Sequence, residues 1–249
     1  MPDEFSKDID RADKVLVRLG HFSSRSAAQA AIAAGLVTIS GRVIGKSSEK
    51  VSIKAKITAQ AAHPWVSRGG VKLTHALDVF ELDVSGLHCL DVGASTGGFT
   101  QVLLARGARS VVAVDVGHAQ LHELVAGDTR VVSLEGKDAR ALTAADLGEA
   151  PDLVVCDASF ISLSKLLAVP LSLASETARL ITLFKPQFEV GRAHVGKGGI
   201  VRDRAAVQTA EAAFVDWLHG QGWRTEARTD SPITGGGGNA ERLLLAVRA

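Results

Sequence analysis

The sequence predicts an α/β protein in which a small α+β domain precedes a large domain with a seven-stranded sheet. Three observations support this prediction. The length of 249 residues suits one large domain and one small partner. Beyond residue 87, apolar strand-like runs alternate with helical segments, which is typical of a doubly wound parallel sheet. The first 60 residues instead contain two short helical patterns followed by strand-like runs.

The front domain opens with two helical patterns. Residues 11–20 have a helical repeat that ends at Gly20, and residues 25–34 have a second one that begins after Ser24 and ends at Gly35. Serine is a favoured N-cap because its hydroxyl accepts a hydrogen bond from a backbone amide of the first turn. Glycine readily adopts the left-handed conformation in which many helices end. We therefore expect two short consecutive helices.

Strand patterns follow the two helices. Residues 36–44 predict a strand, a turn at Gly41 and a second strand, and residues 51–57 alternate with period two as one closing strand. Residues 58–66 include Pro64 and have no periodicity. We predict a front domain at residues 1–60, an interdomain linker at 61–66 and the second domain at 67–249.

Basic residues are concentrated in the front domain. Between Arg11 and Ala62 there are nine Lys and Arg residues and two acidic residues, whereas the whole chain has a formal net charge of +1. A basic segment favours a polyanionic partner, because neutralising phosphates releases their counterions. A basic face that is merely solvated is the alternative interpretation.

The order of two helices, Gly35–Ile39, Gly41–Val43 and a basic strand resembles the RNA-binding domain of ribosomal protein S4, over residues 10–57. In that family the helices and the first strand present basic side chains to structured RNA. The resemblance implies phosphate contacts by the basic residues at matching positions. These are Arg11, Lys14, Arg25, Arg42 and Lys46.

The second domain is predicted to begin with a helix over residues 67–80. Seven strands follow it. They are predicted at residues 87–92, 110–115, 130–134, 152–156, 179–184, 223–229 and 241–247. Folds of this type bind nucleotides in a crevice at the carboxyl ends of the strands, so the residues directly after each strand are the candidates for a site.

A glycine-rich turn, Gly93–Gly98, joins the first of these strands to a helix. Glycines let the chain turn sharply and let a ligand approach the bare backbone. The turn lacks the G-x-G-x-x-G order that seats a pyrophosphate, which favours a methyltransferase that binds S-adenosylmethionine (SAM) over a dinucleotide oxidoreductase. Asp91, ahead of the turn, is typical of methyltransferases, where this acid stays near the methionine portion of the cofactor.

Two further carboxylates follow later strands. Asp115 can accept hydrogen bonds from both ribose hydroxyls of the adenosine, with a helix N-cap as the alternative role. Asp138 occupies the position where methyltransferases often contact the adenine amino group, and a surface turn explains it equally well. The candidate cofactor residues are Asp91, Gly93, Ala94, Ser95, Thr96, Gly97, Gly98, Phe99, Asp115, Val116 and Asp138.

A carboxylate and an amine follow two neighbouring strands. Asp157 comes after the fourth strand and Lys185 after the fifth, so both are expected at the same edge of the sheet. Lys72 on the first helix and Glu241 at the start of the last strand complete the order Lys, Asp, Lys, Glu. This order resembles the catalytic tetrad of FtsJ-like ribose 2′-O-methyltransferases, which have a Rossmann-like fold.

The TlyA family combines that tetrad with the same front domain, and this chain is similar to it over nearly its whole length. Matching motifs lie at residues 67–73, 91–100, 157–163, 184–189 and 196–199. The resemblance implies SAM-dependent methylation of cytidine ribose in the RNA of both ribosomal subunits. Arg68 and Lys197 are further candidates for RNA contact, and residues 191–202 are expected to close over the RNA, with a disordered connector as the alternative.

Methylating a ribose hydroxyl requires that the hydroxyl lose its proton as it attacks the methyl group. A neutral Lys185 is the candidate base, with Asp157 and Glu241 orienting the two amines. Alternatively, Lys185 stabilises the developing alkoxide as a cation. In-line alignment of oxygen, methyl group and sulfur would supply the remaining acceleration.

Two other classes of function remain open. One is an RNA-binding ribosome assembly factor whose catalysis is dispensable, and the other is a membrane-lytic protein, because this family is often called haemolysin. No apolar run approaches the eighteen or so residues of a spanning helix, and the start at Met1–Phe5 is acidic. We therefore expect a cytoplasmic monomer without a membrane partner. Cys89 and Cys156 lie in apolar runs, which predicts buried reduced thiols and no metal site.

Overall fold

A computed structural model describes residues 8–22, 24–235 and 237–249. The chain divides into two compact units between Arg68 and Gly69. Within the described ranges, none of the helices is both long enough and apolar enough to cross a membrane.

The part of the first unit that the structure describes contains two α-helices and five short strands. The helices are α1 (Ala12–Arg18) and α2 (Arg25–Ala33), and the strands are β1 (Ile9–Arg11), β2 (Val37–Ile39), β3 (Arg42–Val43), β4 (Lys50–Ser52) and β5 (Ile57–Ala59). Strands β3, β2 and β5 form one antiparallel sheet, and β1 pairs with β4 in another. The predicted end residues are observed: the Ser24 hydroxyl accepts from the amide of Ala27 at 3.2 Å, and Gly20 and Gly35 have φ of 75° and 72°. The core combines small and branched side chains, including Val15, Leu16, Ile32, Val37 and Ile44.

The predicted single strand over residues 51–57 is wrong. The structure has two strands here, β4 and β5, with a turn between them in which the amide of Ala55 donates to the carbonyl of Ser52 at 3.1 Å. The Ser52 hydroxyl also accepts from the amide of Lys54 at 3.2 Å. Serine side chains stabilise such turns by bonding to the backbone two residues ahead, which competes with continuing the strand. We predicted that Thr58 lies outside periodic structure, but it lies in β5 and pairs with Thr38 of β2.

Within its described residues, the second unit contains seven α-helices and seven strands, and the first of these helices begins at Arg68, the last residue of the first unit. The helices are α3 (Arg68–Val79), α4 (Gly98–Ala105), α5 (Glu123–Ala126), α6 (Ala144–Leu147), α7 (Leu163–Ser172), α8 (Pro186–Glu189) and α9 (Arg204–Gly220). The strands are β6 (His88–Val92), β7 (Ser110–Asp115), β8 (Val131–Glu135), β9 (Leu153–Cys156), β10 (Arg179–Phe184), β11 (Trp223–Asp230) and β12 (Arg242–Arg248). They form one sheet in the order β11-β12-β10-β9-β6-β7-β8. The predicted seven-stranded domain is confirmed.

The sheet is mixed, whereas the sequence predicted a parallel one. Strand β12 runs antiparallel to both β10 and β11. A parallel neighbour requires a crossover connection of a dozen or more residues, usually a helix. The described residues of the loop between Asp230 and Arg242 form no helix, and the chain returns antiparallel.

The central strands are buried along their length. All residues of β6 and β9 are buried, as expected for strands covered on both faces. Cys89 and Cys156 lie inside these strands, and desolvation raises the pKa of each thiol to about 12. One core cluster joins Leu167 and Leu171 of α7, Phe214 of α9 and Trp223 of β11.

The topology brings six connections to one edge of the sheet. Strands β6, β7, β8, β9 and β10 are parallel, so the loops after them share this edge. Strand β12 is antiparallel to β10, with Arg242 opposite Phe184. Glu241, which precedes Arg242, therefore lies near Lys185, which follows Phe184. Lys185 and Glu241 therefore reach the same edge from opposite chain directions.

Candidate active site

Lys185 and Asp157 form a close ion pair at this edge. Lys185 Nζ lies 2.7 Å from Asp157 Oδ1. Lys185 Nζ also donates hydrogen bonds to the backbone carbonyl of Asp157 and to Ser159 Oγ, both at 2.9 Å. Among the described residues, Asp157 Oδ1 has no donor in hydrogen-bond alignment, so the contact between the two charged groups is an ion pair without directional bonding. The amine therefore has three oxygen atoms around it.

Lys72 and Glu241 form a second pair next to the first. Lys72 Nζ donates to Glu241 Oε2 at 2.6 Å and lies 3.9 Å from Asp157 Oδ1. The side chains of Lys72, Lys185 and Glu241 are at most 8% exposed, and that of Asp157 is 19% exposed. Two cations and two carboxylates balance each other, which is the condition under which burying four charges is tolerable. The structure thus brings together the four residues that the sequence proposed as a tetrad.

The loop before β12 is shaped around Glu241. A Cβ on Gly235 would lie 2.3 Å from Glu241 Oε1, so a larger residue would displace the carboxylate. The backbone carbonyl of Glu241 accepts from the amide of Ser231 at 2.9 Å, which closes the base of the loop. A side chain at position 235 would therefore shift the Glu241 carboxylate within the tetrad, and local sequence patterns contain no signal for this.

Asn239, in the same loop, binds the segment that was predicted to close over RNA. This asparagine is buried; its Oδ1 accepts from the amide of Val201 at 2.9 Å, and its Nδ2 donates to the carbonyl of Gly199 at 2.8 Å. The segment itself contains two short 3₁₀ turns and a bridge between Val195 and Val201. It therefore has a defined conformation that is joined to the loop carrying Glu241.

A cavity of about 540 Å³ opens at the same edge and reaches Asp157. Its volume is in the range of small-molecule and cofactor sites. Six of the proposed residues line it: Gly93, Ser95, Asp115, Val116, Asp138 and Asp157. The other proposed cofactor residues, Asp91, Ala94, Thr96, Gly97, Gly98 and Phe99, do not line it. The sequence did not single out several lining residues, among them Gly117, Gln120, Arg140, Ser159 and Phe160.

The glycine-rich turn forms one wall of this cavity. Gly93 has φ of +80°, and a Cβ there would lie 3.0 Å from the Cα of Ala158. Gly97 has φ of +87° and faces Leu121. The two glycines are needed for different reasons. Gly93 allows the backbone of Ala158 to approach closely at the cavity, and Gly97 allows the side chain of Leu121 to pack against the turn.

Asp91 lies beneath the turn and is completely buried. Its Oδ2 accepts from the backbone amide and the hydroxyl of Thr100, at 3.0 and 2.7 Å, while its Oδ1 is buried with no donor among the described residues. Desolvation raises the pKa of Asp91 to about 7, although both bonds from Thr100 oppose this. In this structure Asp91 fixes the start of α4 and does not face the cavity.

Asp115 and Asp138 both line the cavity, but their carboxylates have different hydrogen-bond and ion-pair partners. Asp115 accepts from the amides of Ser95 at 2.9 Å and Gly117 at 2.7 Å, one on each carboxylate oxygen. Each oxygen retains a further lone pair, so both ribose hydroxyls can still bind. Asp138 instead caps the 3₁₀ turn Ala139–Ala141, and its carboxylate pairs with Arg140 at 2.6 Å. The surface-turn role that we considered for Asp138 accounts for these contacts, and the residue also lines the cavity.

The proposed RNA-contacting residues of the first unit differ in their surroundings. Arg11 and Arg25 both bind the buried carboxylate of Asp13, at 3.0 and 2.9 Å, and the arginine hydrogen bonds hold the pKa of Asp13 well below its usual range. Lys14 lies 3.8 Å from Asp10, and Arg42 pairs with Glu49.

The remaining candidates for RNA contact lie on surfaces or at a helix start. Lys46 and Lys197 are exposed and make no ion pair within the part of the chain that the structure describes. Arg68 is partly buried and begins α3. Asp13, which orients Arg11 and Arg25, had no signal in the sequence, because a single acid within a basic segment has no distinctive pattern.

Comparison with protein families finds two matches. The model of the FtsJ-like methyltransferase family matches residues 65–248, and the model of the S4 domain matches residues 10–57. The first match includes all four residues of the buried ion-pair cluster and every residue that lines the 540 Å³ cavity.

Individual proteins are similar along most of the chain. The chain is 44% identical to the 16S/23S rRNA (cytidine-2′-O)-methyltransferase TlyA of Mycobacterium tuberculosis, covering 94% of this chain and 88% of that protein. It is 38% identical to Hemolysin A of Brachyspira hyodysenteriae, covering 94% of this chain and 98% of that protein. A solved structure from Streptococcus thermophilus, named as a candidate hemolysin, matches with a TM-score of 0.78 at 35% identity, covering 97% of this chain and 89% of that one.

Proposed function

Because this chain belongs to the FtsJ-like methyltransferase family, we propose that it transfers a methyl group from SAM to the ribose 2′-hydroxyl of a cytidine in ribosomal RNA. The observation that carries the proposal is the convergence of Lys72, Asp157, Lys185 and Glu241 beside a cofactor-sized cavity. The 44% identity to an enzyme named for this reaction supports the choice of substrate.

The residues that line the cavity fit SAM. Gly93 offers bare backbone where a Cβ would meet Ala158, and Asp115 keeps lone pairs for two ribose hydroxyls. Apolar side chains, including Val116 and Ile161, line the remainder and suit an adenine ring. When bound, SAM supplies a methyl group that is activated by the positive charge on its sulfur.

Lys185 Nζ is the group proposed to contact the ribose 2′-oxygen. Its Nζ is held by the Asp157 carbonyl and by Ser159 Oγ, so the amine has a defined position before substrate binds. Two roles fit this position: the neutral amine removes the hydroxyl proton, or the ammonium stabilises the negative charge that develops on the oxygen. Asp157, at 2.7 Å, orients the amine in either case.

Lys72 and Glu241 are proposed to hold Asp157 in place. Lys72 Nζ lies between the carboxylates of Glu241 and Asp157, at 2.6 and 3.9 Å. It therefore neutralises part of the negative charge near Lys185 and restricts the rotation of the Asp157 carboxylate. Fixing a reacting group to within a fraction of an ångström is worth large factors in rate, because misplacement by about 1 Å costs on the order of 100-fold.

The first unit is proposed to bind the ribosomal RNA. The S4 match covers residues 10–57 of this unit. The exposed Lys46 and the two arginines held by Asp13 offer cations for phosphate contact. Lys197, in the segment joined to Asn239, is proposed to add a contact near the reacting nucleotide.

The test is methyl transfer from tritium-labelled SAM to ribosomal subunits that lack the modification. We expect incorporation with the unchanged protein, recovery of 2′-O-methylcytidine after nuclease digestion, and none with Lys185→Ala. The control is Arg224→Ala, which removes an exposed cation on β11 that pairs with Glu226. RNA binding without transfer would overturn the proposal in favour of an assembly factor, and leakage of liposomes caused by the purified protein would favour a membrane-active one.

A further inference from the structure

The segment after β7 forms one wall of the cofactor cavity. Val116, Gly117 and Gln120 from this segment all line the cavity, next to Asp115. The segment reaches α5 without any regular secondary structure, so strand or helix bonds do not hold it. Its position must therefore come from other contacts.

Glu135, at the end of β8, supplies those contacts. Its Oε1 accepts from the backbone amides of Gln120 at 2.6 Å and Leu121 at 3.0 Å, and its Oε2 accepts from the amide of Ala119 at 3.0 Å. Three consecutive amides thus converge on one carboxylate, and hydrogen bonds to an ionised acceptor are the strong ones. These amides, with that of Leu121 foremost, lower the pKa of Glu135, and the nearby His118 contributes in the same direction.

The conformation that Glu135 holds is not one the segment would adopt freely. Ala119 has φ of +53°, a left-handed conformation that costs a residue with a Cβ roughly 1 kcal/mol. A Cβ on Gly117 would lie 1.7 Å from Gln120 Nε2, so the Gln120 side chain folds directly over Gly117. The His118 ring in turn covers Gly136, where a Cβ would lie 2.5 Å from its Nε2. The segment is therefore tightly folded, and it includes one residue, Ala119, in an unfavourable backbone conformation.

The placement of Glu135 links this fold to Asp115. The two residues are opposite each other in the parallel register of β7 and β8. The amide of Lys137 donates to the Asp115 carbonyl at 3.0 Å, and the amide of Gly136 donates to the Gly117 carbonyl at 2.8 Å. Glu135 itself does not line the cavity, so it would act on a ligand only through the segment it holds.

We propose that Glu135 is a positioning residue for the cofactor: by binding the amides of residues 119–121 it keeps Gly117 and Gln120 at the cavity wall and Asp115 oriented toward the ribose. This inference rests on the proposed use of SAM at this cavity. It assigns to a carboxylate outside the cavity a role in cofactor affinity that neither the strand pattern nor the glycine-rich turn indicates.

The experiment is a calorimetric titration of the full chain with S-adenosylhomocysteine, which binds without reacting. We expect Glu135→Ala to weaken binding by about 10- to 100-fold, as for the loss of several charge-assisted hydrogen bonds, while affinity for a ribosomal RNA fragment is unchanged. The matched control is Glu123→Ala, which removes the carboxylate of an exposed glutamate at the start of α5. Hydrogen exchange should increase at the amides of residues 119–121 in the Glu135 variant alone.

A second substitution separates positioning from a general loss of stability. Glycine adopts positive φ without strain, so Ala119→Gly in the Glu135→Ala background should restore part of the affinity. Binding by Glu135→Ala equal to that of the unchanged protein would overturn the inference, and so would an equal loss of RNA and cofactor affinity without rescue by Ala119→Gly. If the unchanged protein itself did not bind, the proposed function would fail instead.

Discussion

Lys72 and Glu241 are 169 positions apart in the chain, and their side chains form a buried hydrogen bond of 2.6 Å. One residue lies on the first helix of the large unit and the other directly before its last strand. Their contact joins the two ends of this unit beside Asp157 and Lys185.

Glu241→Ala should both destabilise the protein and abolish methyl transfer. Without its partner the Lys72 ammonium is left buried, and breaking a buried pair in this way typically costs about 3 to 5 kcal/mol. Urea unfolding measures the loss. The double variant Lys72→Met, Glu241→Leu should regain most of the stability but no activity. Additive losses in the double variant would mean that the two residues are not coupled.

Gly235→Ala should reduce turnover without weakening cofactor binding. The new Cβ would lie 2.3 Å from Glu241 Oε1 and push the carboxylate away from Lys72. We expect kcat to fall by about 100-fold, as for a misplacement of roughly 1 Å, with unchanged affinity for S-adenosylhomocysteine. Gly220→Ala is the control, because a Cβ at that position meets nothing within 4 Å. A fall in cofactor affinity instead would place Gly235 in the cofactor site.

Asp91→Asn should change how stability depends on pH. The pKa of Asp91 is about 7 in the folded protein, against an ordinary value of 3.8, because of burial. Between these values the unfolded chain releases the proton while the folded protein keeps it, so the free energy of unfolding falls as pH rises and levels off above about 7. The asparagine variant should lose this slope. Urea unfolding across that window tests it, and an unaltered slope would contradict a protonated Asp91.

Asp13→Ala should weaken RNA binding although it removes a negative charge. Asp13 is completely buried and orients Arg11 and Arg25, so its loss frees both side chains and leaves no partner for Gln29. We expect about a tenfold loss of affinity for ribosomal RNA, which corresponds to ~1.4 kcal/mol. Asp10→Ala removes a nearby, more exposed acid and is the control. Tighter binding by the Asp13 variant would mean that net charge alone governs RNA affinity.

The sequence was informative wherever the site follows the ends of strands. Asp157 and Lys185 come directly after apolar strand patterns, and residues after neighbouring parallel strands must share an edge. The predicted relationship to the TlyA family is confirmed by 44% identity over most of the chain. The role of Asp91 near the cofactor stays a prediction: Asp91 is completely buried and is not among the residues that line the cavity, a placement that the sequence pattern does not indicate.

Local patterns failed where side-chain bonding competes with backbone pairing. The alternation of residues 51–57 predicted one strand, but Ser52 bonds to the following backbone and turns the chain. Glu135 and Asn239 carried no signal, since a glutamate ending a strand and an asparagine in a glycine-rich loop are ordinary surface residues by composition. Their importance comes from which backbone amides and carbonyls lie opposite them.

By itself, the sequence determined the two-domain α/β organisation, the basic front unit and the identity of four candidate catalytic residues. These depend on local periodicity and on motifs within short stretches of chain. Only the tertiary structure decided that β12 returns antiparallel beside β10, and so that Glu241 meets Lys72. The physical reason is that strand order and loop closure depend on contacts between residues far apart in the chain, and no short stretch of sequence encodes those contacts.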